Sequence, residues 1–265
     1  MAKRSDVSFP LFAGALALIL TAGAFALPTI PQAQSYHRFA DQAMSWGIPH
    51  AADVLSNLAF LLVGLYGVFR RPRYTLGADI LLGLVTFWVG IFLVAAGSAY
   101  YHWAPSDATL VWDRIPMSIA FMGVSFSLIV AQARLKAYVL PYLGLELLGV
   151  TATLYAHFWD DLRFYLMCQL FPLLLALSAA VRLRSLPISR DLLWAFLAYT
   201  SAKLFEHYDR AVHELTSELV SGHTIKHLLA ALGAFFVLRF FLYLKPSEVR
   251  ELEARELEAR EKERV

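Results

Sequence analysis

Long stretches without a charged side chain constrain this chain more than any other feature of it. Residues 80–101 run for 22 positions with no Asp, Glu, Lys or Arg, and residues 9–27, 54–69, 115–133 and 164–181 are likewise uncharged. About 20 apolar residues in a helix cross the hydrocarbon of a bilayer. In that medium every backbone N–H and C=O must be bonded within the protein, which leaves helices or a closed barrel. Barrel strands alternate apolar and polar side chains over about ten residues, and these continuous runs do not. Three weaker runs complete the set: 137–158 carries only Glu146, 192–204 is interrupted by Lys203, and 228–244 contains Arg239. The pattern predicts an all-α membrane protein, a seven-transmembrane helix bundle plus one extra N-terminal hydrophobic helix.

Composition agrees once the C-terminal end is set apart. Hydrophobic residues make up 58% and charged residues 17%, against about 45–50% and about 25% in a soluble domain. Residues 245–265 alone hold 13 of the 44 charged side chains. Disorder is excluded for the body of the chain, and a soluble globule is disfavoured. Cys168 is the one cysteine, so an internal disulfide and a cysteine-built metal site are excluded. A net charge of +2 gives no reason to expect nucleic acid, and no feature calls for an obligate protein partner.

Three regions follow. Residues 1–35 form an N-terminal transmembrane anchor or a signal-like segment. Lys3 and Arg4 precede an apolar stretch, and Ala24-Phe25-Ala26 has the small-x-small form of a cleavage site. Residues 36–244 are the seven-helix core. Residues 245–265 are a charged tail in which Glu-Leu-Glu-Ala-Arg occurs twice over 251–260. Its i,i+4 charge pairs favour a solvated helix. Orientation follows from Lys and Arg in short loops. Lys3, Arg4, Arg70, Arg71, Arg73, Arg134, Lys136, Arg182, Arg184 and Arg190 fall on one side, against Arg38, Arg114, Arg163 and Arg210 on the other. Both termini are expected to be cytoplasmic if the first span is retained.

On that topology all eight histidines (37, 50, 102, 157, 207, 213, 223 and 227) lie in the outer half. His223 and His227 are four apart at the start of the last span, which puts both imidazoles on one helix face. Ser98 and His102 repeat the i,i+4 spacing at the outer end of another span, and Asp113 opens the next one. Each has an ordinary explanation. Ser98 can pack by a hydrogen bond, Asp113 can pair with Arg114 or cap its helix, and His102 can anchor at the interface. All five at one depth are harder to explain so, because polar groups at membrane depth are costly and normally face a cavity or a partner. Three histidines leaving one open position match a catalytic zinc site. Haem would require facing histidine pairs, and a Ser98 nucleophile would require a positioned base.

Ser-x-x-x-His ending one span, Asp opening the next and His-x-x-x-His opening the last resemble the signature of the CREST superfamily. That group includes the alkaline ceramidases and the progestin and adiponectin receptors. Val54-Leu55-Ser56-Asn57-Leu58, Gly97–His102 and Trp112–Pro116 are similar to alkaline ceramidase segments. The resemblance covers roughly residues 36–244 and implies hydrolysis of ceramide or a related membrane lipid amide to a fatty acid and a long-chain amine. It implies that His102, His223 and His227 hold zinc near the outer face. Asp113 would move protons and Ser98 would donate a hydrogen bond to the developing oxyanion. A receptor or scaffold with structural zinc is the alternative, since receptor members keep the same residues. The ceramidases also carry calcium at the start of the first core helix. Asp41, Asp53 and Asn57 would be the ligands here, but His50 stands where the family has a Glu, and calcium prefers oxygen.

Overall fold

A computed structural model describes residues 8–70, 72–132, 139–249 and 251. The tail repeat past 251 and the topology-setting residues Lys3, Arg4, Arg71, Arg134 and Lys136 lie outside the described residues. Among those described there are ten α-helices and no β-strand: α1 Ser8–Ala26, α2 Ala51–Ser56, α3 Leu58–Phe69, α4 Ala78–Trp103, α5 Asp107–Gln132, α6 Val139–Trp159, α7 Arg163–Arg182, α8 Ser189–His207, α9 Asp209–Leu215 and α10 Gly222–Tyr243. α2 and α3 together make one span.

The helices close into a ring. α3 packs on α4, α4 on α5, α5 on α6 and α7, α7 on α8, α8 on α10, and α10 returns to α3. α1 lies outside the ring against α7 and, to a lesser extent, α5. Among the described residues, seven spans are long and apolar enough to cross a membrane: α1, α2–α3, α4, α5, α6, α7 and α10. α8 has the length but carries Arg190, Asp191, Lys203 and Glu206. Three of these charges are paired: Asp191 with Arg239 of α10 at 2.8 Å, and Glu206 with Lys203 at 2.8 Å. Pairing is what allows such groups in a bundle, since an unpaired charge in hydrocarbon is expensive.

The α4–α5 pair is the most intimate. A membrane offers little hydrophobic drive for helix association, so close packing must supply it, and small residues let backbones approach. Gly83, Gly90 and Gly97 recur every seven residues on α4. A Cβ at Gly83 would meet the Gly123 carbonyl at 2.5 Å, and one at Gly90 would meet Ala120 at 2.8 Å. One at Gly97 would collide with the Trp112 carbonyl. That carbonyl is available because Pro116, four residues on in α5, has no N–H to bond it.

The segment between α1 and α2 crosses the end of the ring where α4 finishes and α5 and α10 begin. Its start is held at the α6–α7 turn, where Leu162 N–H donates to the Ile30 carbonyl (2.8 Å) and Gln32 N–H to Asp160 (2.7 Å). Arg163 donates to both oxygens of the neighbouring Asp161 and holds that carboxyl below the usual carboxylate range. Further along, Tyr36 donates to Glu206 (2.9 Å) and Ala40 N–H to Asp209 (2.8 Å). Phe39 lies against His102 and His223, with ring centroids 4.4 and 4.9 Å away. This segment roofs the site.

Candidate metal centre

His102 comes from the last turn of α4, and His223 and His227 from the first two turns of α10. The three are 0%, 3% and 1% exposed, and one nitrogen of each lies within 4.8 Å of the others. Their ring centroids are 4.7–4.9 Å apart. Local sequence explains how α10 starts here. Ser221 caps it by accepting from Thr224 N–H at 2.8 Å. Asp209 accepts the His223 N–H at 2.8 Å. Gly222 permits the approach, because a Cβ there would run into the Phe205 carbonyl.

The ring nitrogens test whether these residues suit a metal. Both nitrogens of His102 and Nε2 of His227 are buried without a hydrogen-bond partner. A buried polar group left unbonded costs about 1–3 kcal/mol, and an ion between the rings would take one nitrogen of His102 and Nε2 of His227. The tautomer of His227 follows from its neighbour. Ser56 Oγ donates to the Asp53 carbonyl (2.9 Å), so at 2.7 Å it accepts from His227 Nδ1. That leaves Nε2 with its lone pair toward the other rings, as when an oxygen acceptor on the far nitrogen fixes the tautomer of a metal-binding histidine. His223 Nε2 accepts from Lys226 Nζ at 3.0 Å, a contact that a metal on that nitrogen would replace. The donor set is all nitrogen with no thiolate, which suits zinc.

Ser98 and Asp113 lie beside this set, 1% and 4% exposed, and line one cavity together with His227. Their meeting follows from the packing of α4 on α5: Gly97 precedes Ser98, and Trp112, whose carbonyl Gly97 admits, precedes Asp113. Sequence placed Asp113 at the rim of its helix. α5 in fact begins at Asp107, so Asp113 sits in its second turn, inside the bundle. It makes no ion pair with Arg114, whose Nη2 donates instead to Gln32 at 2.6 Å.

Asp41, Asp53 and Asn57 gather around the start of α2. Asp41 accepts from the backbone N–H groups of Ala43 (2.9 Å), Ala52 (2.9 Å) and Asp53 (3.3 Å). Asp53 Oδ1 accepts from Ser221 (2.8 Å) and Thr224 (2.6 Å), while Asp53 Oδ2 and Asn57 Oδ1 have no hydrogen-bond partner. His50 turns its Nδ1 to the Asp41 carbonyl at 2.6 Å.

The other histidines do not join. His37 bonds Tyr101 (2.9 Å) and Asp107 (3.0 Å), and His157, His207 and His213 are not in the three-histidine group. Sequence reasoning missed Lys226. It is buried, ion-paired with Glu206 at 3.0 Å, and three residues from His223 on the same face. The i,i+3 spacing was a signal, but its partner Glu206 is on another helix.

A central apolar cavity lies within the ring, lined by Phe60, Phe87, Ala120, Pro172, Phe196 and Val237 among others, with Ser98, Asp113 and His227 at one end. From His227 to Val237 is ten residues of α10, roughly 15 Å at the helical rise. The site therefore has buried metal-type donors, a carboxyl and a hydroxyl at the head of an apolar chamber. A family model described as ceramidase matches residues 43–261, more than four fifths of the chain. Comparison with curated proteins gives no match.

Proposed function

The chain belongs to the ceramidase family, and on that premise we propose that it is a zinc-dependent intramembrane amide hydrolase. It is a multi-pass membrane protein, and its family makes it a hydrolase of amide bonds. The finer reading is cleavage of ceramide or a related lipid amide to a fatty acid and a long-chain amine. The observation that carries it is the buried His102–His223–His227 group, in which ring nitrogens of His102 and His227 have no hydrogen-bond partner.

Zinc held by these three histidines would supply a Lewis acid that brings the pKa of water to about 7. The remaining work belongs to the chain. Asp113 accepts a proton from the attacking water and later passes one to the leaving amine. Ser98 turns its proton to the developing oxyanion. Lys226 keeps its pair with Glu206 when a cation occupies the histidines. The apolar cavity takes an acyl chain and keeps bulk water from the reacting carbonyl.

Purified full-length protein in neutral detergent should release fatty acid from a panel of lipid amides with neutral and anionic head groups. Chelation should abolish release, and added zinc should restore it. No hydrolysis by zinc-loaded protein across the panel would shift the reading to a receptor or scaffold.

The Lys and Arg bias of the loops supports a site near the outer face. A reporter fused after Arg71 is expected to behave as cytoplasmic, and one inserted within 214–221 as exterior. The reverse pattern would place the site at the cytoplasmic leaflet.

A further inference from the structure

A second cavity of about 570 Å³ adjoins Asp113 between α5, α7, α8 and the roofing segment. Its character is opposite to that of the central one. Arg114, Lys203 and Lys226 line it, with Asp113 and Glu206 as the carboxylates. Glu206 is shared by Lys203 at 2.8 Å and Lys226 at 3.0 Å. Arg114 is 9% exposed and has no carboxylate partner among the described residues. Its guanidinium rests over the rings of Tyr165 and Tyr36, 4.6 and 5.8 Å from their centroids. Within this cavity three cations face two carboxylates, and the nearest further ones, Asp107 and Asp160, line a neighbouring cavity on the other side of Arg114. A buried charge without a counter-ion is far costlier than an exposed one, and a guanidinium is shaped to bind an oxyanion through two parallel N–H donors.

The two cavities share a wall. Asp113, Met117, Gln169, Lys203 and Lys226 line both. A molecule with an apolar chain in one and a polar group in the other would have its middle at that wall, beside Asp113. We propose that the cationic cavity is a headgroup compartment for an oxyanion. The lipid amide cleaved here carries a phosphate or carboxylate on its amine half. This rests on the amide-hydrolase reading above, so the test includes a measurement that needs no turnover.

Two lipid amides with the same acyl chain, one with a free hydroxyl head group and one with its phosphate ester, are compared on the zinc-loaded full chain. The expected kcat/KM ratio favours the anionic amide by about 10- to 100-fold, the scale of one charge-assisted hydrogen bond. Arg114→Gln should bring the ratio to within about threefold, and Arg114→Lys should keep most of it. If Arg114→Gln fails to fold, Lys203→Met removes the excess charge from a half-exposed position and should lower the ratio likewise. The measurement without turnover is the thermal midpoint in neutral detergent with dodecyl phosphate, dodecanol or inorganic phosphate. Dodecyl phosphate should raise it above the dodecanol value, and Arg114→Gln should cancel the difference. Hydrolysis of both amides with no preference, together with equal midpoints, would overturn the compartment and leave the hydrolase reading standing. A dodecyl phosphate effect without hydrolysis of any amide would support the compartment and count against the hydrolase. An equal rise with inorganic phosphate alone would overturn the lipid headgroup in favour of a free anion.

Discussion

Replacing His223 and His227 together by alanine should take the chain from about one zinc to none, because zinc sites need three or four protein donors and one imidazole cannot hold the ion. Each single substitution should lose most of the metal. The reason lies in the nitrogens. His102 has no other partner for either ring nitrogen, and His227 offers Nε2 because Ser56 holds its Nδ1. No thiolate is nearby to rescue binding, since Cys168 is the one cysteine and lies in α7. Metal analysis of the folded, monodisperse fraction is the measurement. Full zinc in the double variant would remove the histidine group as the binding site. Ser56→Ala is a milder companion: it frees the His227 ring to rotate, and affinity should fall by about 10- to 100-fold, as for loss of an outer-shell partner.

Sequence and structure agree where a signal is local. An uncharged run of 22 residues has to be a span, and α4 covers it. The i,i+4 pair His223 and His227 needs only helical geometry to meet. The uncharged runs fall short of the helix ends, and for one cause: they begin at Ile115 and Leu228 because charged residues precede them. The helices instead begin at Asp107 and Gly222, because Asp113, Arg114 and Lys226 are buried against partners on other elements. α8 was the least apolar span for the same reason. Its Asp191 is matched by Arg239 and its Glu206 by Lys203 and Lys226. Such compensation is tertiary and leaves no periodicity to read. The adjacency of Ser98 and Asp113 was legible as order along the chain but not as contact. It depends on Gly97 admitting a carbonyl that Pro116 leaves unbonded. The roof contributed by Phe39 and Tyr36 had no signal, since an aromatic in a loop reads as an interface anchor.

Asp113→Asn should retain zinc and lower turnover of a lipid amide by about 10²–10⁴, the scale of losing general acid–base catalysis. The substitution keeps the size of the side chain and one acceptor oxygen, but removes the group that takes a proton. The three histidines are on α4 and α10 and are untouched, so metal content separates loss of chemistry from loss of the site. Ser98→Ala should also keep zinc and cost about 10²–10³, typical of one oxyanion donor. The two effects should fall short of adding when combined. Ser98 and Asp113 line the same cavity, and neighbouring residues couple. A purely structural Asp113 predicts something different. It makes no ion pair with Arg114, so neutralising a buried carboxyl would change stability while leaving the rate per folded, zinc-loaded molecule nearly intact. Activity normalised to that population decides between them, and near-normal turnover in Asp113→Asn would refute its role as the proton carrier.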